Sequence, residues 1–141
     1  MSKSDAFEND LLKLIFNAVA IADLADNDAT SPATNLAVAL HTASPGEAGT
    51  QATNEIIYSG YSRINVVRSA AGWLVSGNTV FPVNNIDFGE MTDGAGGIVT
   101  HASVGVPGTN RSLYYGTVTP NINVVNGVIP RLKTTSTITE D

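Results

Sequence analysis

The chain has 141 residues, of which 43% are hydrophobic and only 14% charged, with a net charge of −6 and no cysteine. That length suits one domain with its own core, and the composition excludes a disordered chain, a disulfide framework and a thiolate metal site. The seven Lys and Arg are scattered, which argues against electrostatic capture of a nucleic-acid backbone.

The first segment reads as a helix. Asp5 is the expected cap, and Glu8 three positions on completes a capping-box pattern. Phe7, Leu11, Leu14, Ile15, Ala18 and Ala22 recur at three- and four-residue spacing and define one face. Leu12, Val19 and Ile21 widen that stripe. The expected helix is about 18 residues, roughly 27 Å long. Lys13 and Asn17 interrupt the apolar run, and Asp5, Glu8 and Asp10 precede it. Neither a signal peptide nor a membrane span fits that pattern. The run DLADNDATSP (23–32) breaks the helix with acids, small polar residues and Pro32. The expected division is therefore a helical arm (1–24), a linker (25–34) and a β-sandwich domain (35–141).

From Asn35 the period changes from helical to alternating. NLAVALHTA places Leu36, Val38 and Leu40 on one face and Ala37, Ala39 and His41 on the other. The segments IIYSG, YSRINVV, GWLVSG, NTVFPV, NIDFG, GIVTHASVGV, SLYYGTVT and INVVNGVIPRL follow, each bounded by turn residues. About eight or nine short strands of this kind indicate a mainly β fold, a jelly-roll-like antiparallel sandwich with an N-terminal α-helix. SGN (76–78) and NG (126–127) read as tight turns, the latter as a type I′ hairpin between INVV and VIPRL. The tail KTTSTITED is expected to close as an edge strand.

Chemistry is sparse. His41 and His101 are the only histidines, and no third ligand accompanies them to complete a zinc or iron site. Asp87, Glu90 and Asp93 lack the spacing of a calcium loop. The letters DFG (87–89) stand without a glycine-rich ATP loop, and no nucleophile elbow is present. GAGG (94–97) opens no helix, so it lacks the terminus that binds phosphate. We expect no catalytic residue, cofactor or metal site, and no enzyme. Tyr114 and Tyr115 are adjacent in a strand and should face opposite sides. The loop SPGEAGTQATN (44–54) is long enough to have a use of its own, and we expect contact with a neighbouring subunit.

The order of segments is more telling than any one of them. Leu36–Glu47 (LAVALHTASPGE), Gly60–Arg63 (GYSR), Phe81–Pro82, Val99–His101 and Leu113–Gly116 follow an N-terminal helix. In that order they resemble a family of small virion proteins of tailed bacteriophages, often labelled tail fibre or minor tail protein. The resemblance covers about residues 7–125. It implies a structural protein made in the host bacterial cytoplasm and carried on the virion. A fibre spans distance with repeats or a long coiled coil, and this chain has neither. The expected role is therefore a capsid decoration (cement) protein, a homotrimer on the outer capsid surface bound to the major capsid protein. The alternative is a tail fibre or minor tail protein that recognises a host surface receptor. Neither nucleic acid nor membrane is an expected partner. The candidate contact residues are Phe7, Leu11, Leu14 and Ile15 on the helix, Pro45, Gly46 and Glu47 in the loop, and Tyr61 and Arg63.

Overall fold

A computed structural model describes residues 4–21 and 33–140. One helix, α1 (Asp5–Asn17), precedes nine strands: β1 (Asn35–His41), β2 (Ile64–Val67), β3 (Trp73–Ser76), β4 (Thr79–Pro82) and β5 (Ile86–Asp87), then β6 (Gly97–Gly105), β7 (Ser112–Val124), β8 (Arg131–Leu132) and β9 (Ile138–Thr139). The fold is mainly β, as the alternating pattern predicts. The sheets run β2-β1-β6-β7, β3-β4-β9 and β5-β8, and every registered pair is antiparallel.

The chain divides into two compact units, and the division differs from the expected arm, linker and body. One unit takes Met1–Thr34, Val67–Asn85 and Lys133–Asp141; the other takes Asn35–Val66 and Ile86–Leu132. The helix thus shares its unit with β3, β4 and β9. The expected linker falls mostly outside the described residues.

In the first unit the helix cap lies one residue before the expected one. Ser4 is the N-cap, its hydroxyl accepting from the Phe7 N–H (3.4 Å) while its carbonyl accepts from Glu8 N–H (3.0 Å). The helix has 13 residues and stops at Ala18, which turns left-handed (φ +56°) so that Val19 N–H reaches the Lys13 carbonyl at 3.1 Å. Its last turn carries no basic residue of its own. Arg68 supplies one from another segment, donating to the carbonyls of Leu14, Ile15 and Ala33. The Leu14 and Ile15 carbonyls are the acceptors a helix end leaves unpaired, and the cation also meets the negative end of the helix dipole.

The buried face of α1 is rotated from the expected stripe. Leu12, Phe16 and Glu8 are buried, whereas Phe7 is 37% exposed and Leu11, Leu14 and Ile15 are half-buried. Phe16 meets Trp73 edge-on, with ring centroids 4.8 Å apart. A helix apolar on several sides can bury any of them, and the Trp73 ring selects this one. The β3–β4 hairpin turns at Gly77 (φ +59°) and Asn78, with Ser76 opposite Thr79, as SGN predicts. The tail adds β9 along β4, the expected edge strand.

Ala18 occupies a conformation in which a Cβ costs about 1 kcal/mol. Ala18→Gly should therefore raise stability by about 0.5–1 kcal/mol, read as a higher urea midpoint at unchanged slope.

In the second unit β1 is buried on both faces. It pairs with β6 so that Ala37, Ala39 and His41 lie opposite Gly105, Ser103 and His101, making one face of small and polar residues. The segment 42–55 folds back over that face, with Gln51 fully buried. A Cβ on Gly105 would lie 2.4 Å from Cδ of Gln51, so glycine is what lets the Gln51 amide lie against the strand. IIYSG (56–60) is not a strand; its one isolated bridge is Ser59–Asp93, and Glu55 just before it bridges His41. SLYYGTVT and INVV join into the single 13-residue β7. Pro120 is tolerated within it because β7 is an edge, where a missing N–H breaks no inner ladder. Asn126-Gly127 does turn, with Val128 N–H on the Val125 carbonyl. It makes no I′ hairpin, since only Gly127 has positive φ, and the chain leaves to pair β8 with β5.

Candidate functional site

The polar residues of the second unit converge at one end of the four-stranded sheet. His41 is fully buried, and its Nδ1 lies 2.9 Å from the Thr53 carbonyl. A carbonyl only accepts, so Nδ1 carries the proton and Nε2 is left to accept from the Ser103 hydroxyl at 2.7 Å. Gln51 Nε2 donates to the Ala37 carbonyl (2.9 Å) and to Ser103 Oγ (3.3 Å). Burial holds the His41 imidazole below its ordinary 6.5, outweighing the favourable Thr53 bond and nearby Glu55.

Ser103 and His41 have the spacing of a nucleophile and its base. Both are buried, at 2% and 0% exposure, so a substrate has no route to the hydroxyl. His101 lies opposite His41 in the ladder, with Nδ1 2.9 Å from Thr100 Oγ1. Among the described residues, no group of three or more His, Asp or Glu is placed to hold a metal ion.

Tyr61 and Arg63 point into the same network. Arg63 grips the Glu55 carboxylate with Nε (2.8 Å) and Nη2 (2.7 Å), donates to the Thr109 carbonyl (2.8 Å) and Asn110 Oδ1 (3.0 Å), and lies 3.4 Å from Gln51 Oε1. The Glu55 hydrogen bond raises the Arg63 pKa further, keeping the cation permanently charged. Tyr61 donates to Glu55 (2.9 Å) and accepts the Leu40 N–H (3.0 Å). Leu40 is the point on β1 just before its bridge to Glu55, so the phenol fills a gap in the ladder. Burial, the largest influence, pushes the Tyr61 pKa up. Tyr61→Phe should cost about 1–3 kcal/mol by orphaning the Leu40 N–H, measured as a lower urea midpoint.

The glycines of GYSR and DFG explain each other. A Cβ on Gly89 would stand 1.8 Å from the Gly60 carbonyl oxygen, and one on Gly60 (φ +101°) 2.1 Å from that of Glu90. The two backbones touch, and no side chain fits between them. Tyr61 packs against Tyr58 and Phe88, with centroids 5.3 and 6.0 Å away, so these aromatics face inward. Tyr115 is exposed and Tyr114 half-buried. Asp87 pairs with Arg131 (2.5 Å), and Asp93 accepts its neighbouring Gly94 N–H.

The loop candidates separate. Pro45 is buried, Gly46 takes the left-handed turn position (φ +73°), and Glu47 is exposed at the tip. Phe7, Leu11, Leu14 and Ile15 belong to the other unit. Gln51, Glu55 and Ser103 were invisible as site residues in the sequence. No periodic spacing marks them: Ser103 meets His41 and Gln51 from a distant strand, and Glu55 meets Tyr61 and Arg63 only once the intervening chain turns back.

Leu40, His41, Gly60, Tyr61 and Arg63 of this network lie in the LAVALHTASPGE and GYSR segments that carried the phage resemblance. A family model described as Podophage GP4 fiber I protein gp80 matches residues 2–139. The chain belongs to that family. No curated protein matches it. Inside the fold, distinct segments of this chain are joined to one another: Leu40 to Tyr61, Glu55 to Arg63, His41 to Ser103. No described helix of this fibre-family chain is long and apolar enough to cross a membrane.

Proposed function

We propose that the chain is a structural subunit of the tail fibre apparatus of a tailed phage, acting through contact with other proteins rather than catalysis. The family match over residues 2–139 carries this reading. The decoration role expected from the sequence draws no support from that match, whose name points to a fibre. Two further observations favour a contact role. The serine–histidine pair Ser103–His41 is buried. The edge strand β7, SLYYGTVTPNINV, bears no charged side chain, so a partner meets it without desolvating an ion.

Immunogold labelling of intact particles tests the location. Label at the tail is the expected result; label spread over the head shell would return the decoration reading. The subunit is a homotrimer, as the resemblance implies. Light scattering should then give three times the 14.6 kDa of one chain.

A further inference from the structure

Every proton in the buried network has one place. Gln51 Nε2–H points to Ser103 Oγ, Ser103 O–H to His41 Nε2, and His41 Nδ1–H to the Thr53 carbonyl. One more proton, on Nε2, would face a hydroxyl that already receives the Gln51 amide. The Ser103 proton would then need a new acceptor in a site closed to water. Gln51 cannot turn its oxygen inward to supply one without placing its amide against the Arg63 guanidinium. The remaining relief is for Gln51 to leave.

Gln51 also joins two loops. Its side chain lies over Gly105, and its backbone N–H donates to the Asn110 carbonyl at 2.9 Å. Arg63 holds the same loop through Thr109 and Asn110.

We propose that His41 is an acid-sensitive latch: while neutral it keeps the 42–55 and 106–111 loops docked on the β1–β6 ladder, and its protonation releases them. This does not depend on where the protein sits in the virion. The charged and titratable groups around His41 are Glu55, which favours the added proton, and Arg63 and His101, which oppose it; Tyr61 bonds to Glu55. The sign follows from burial. Folded His41 binds a proton less readily than an exposed histidine at 6.5, so below that pH the opened loop takes up protons that the closed one refuses. Docking is complete above pH 6.5 and weakens as pH falls toward the folded value. One proton of linkage makes opening about tenfold more frequent per pH unit.

Amide hydrogen exchange at pH 7 and pH 5, corrected for intrinsic rates, tests the latch. Peptides spanning 42–55 and 106–111 should lose protection about tenfold per pH unit below 6.5, while the β1–β6 ladder amides keep theirs. His41→Gln should remove the pH response, and Ser103→Ala should shrink it, because losing the donor to neutral Nε2 lets the folded imidazole take up a proton more nearly as the open one does. Equal loss in the loops and the ladder, no loss at all, or an unchanged response in His41→Gln would overturn the proposal. If His41→Gln does not fold, NMR titration of the wild type decides. The loop amides should follow the His41 ring, and loop amides that follow the His101 ring instead refute the latch.

Discussion

Phe16→Ala is expected to cost about 3–5 kcal/mol, the range for removing a buried aromatic ring. Phe16 is fully buried and packs edge-on against Trp73, so truncation opens a cavity beside the indole. Trp73 is the only tryptophan, which makes its fluorescence a local reporter. Its emission should shift to the red, and its urea transition should move to lower denaturant. Phe7→Ala is the contrast. At 37% exposure it loses little packing and should cost under about 1 kcal/mol. Equal costs for the two would mean that the helix packs through the stripe read from the sequence. Removing residues 1–24 should have the larger effect of the same kind, because α1 is the element packed on β3 and β4. A truncated chain with native Trp73 emission would restore the division into a helical arm (1–24) and a separate β domain.

Breaking the Arg63–Glu55 pair is the second large effect. The two side chains are only 22% and 16% exposed, so neither is stabilised by water alone. Arg63→Met leaves the carboxylate with the Tyr61 hydroxyl as its one remaining side-chain donor, and strips the Thr109 carbonyl and Asn110 side chain of theirs. A cost of about 2–4 kcal/mol is expected, near the low end for removing one partner of a buried pair because this one keeps some solvent contact. Glu55→Gln combined with Arg63→Met should cost less than the sum of the singles, with a coupling of about 1–3 kcal/mol. Arg63→Lys should recover only part of the loss, since an ammonium cannot grip both carboxylate oxygens in one plane. The penalty should persist in 1 M salt, which screens exposed pairs far more than enclosed ones. A coupling near zero would reduce the pair to a surface contact.

Both effects concern residues whose type was legible but whose partners were not. The alternation of NLAVALH marked β1 and divided its faces correctly into large aliphatic and small polar sides. It could not show that the small face is closed by Gln51, because nothing in a local window links residue 51 to Gly105. The GYSR segment is conspicuous in the sequence, and a contact role would turn its two large side chains outward. They turn inward because β1 has a gap at Leu40 that only a phenol fills, and because Glu55 arrives beside Arg63 only when the segment between His41 and Tyr61 has folded back. The same limit explains the helix. Periodicity located α1 within a few residues, yet its apolar residues surround more than one face, and the buried one is chosen by Trp73, far along the chain.

What the sequence determined by itself is whatever depends on neighbours along the chain. The helix before the strands, the alternation of β1, the Gly77-Asn78 turn and the closing tail strand each follow from residues within about a turn of one another, and the order of the motifs brought the phage family into view. Tertiary structure alone decided the merging of β7, the two-unit division, the buried helix face and the polar network at His41. Each of those rests on hydrogen bonds or packing between separate segments of the chain, where no helical or strand period records which groups will meet.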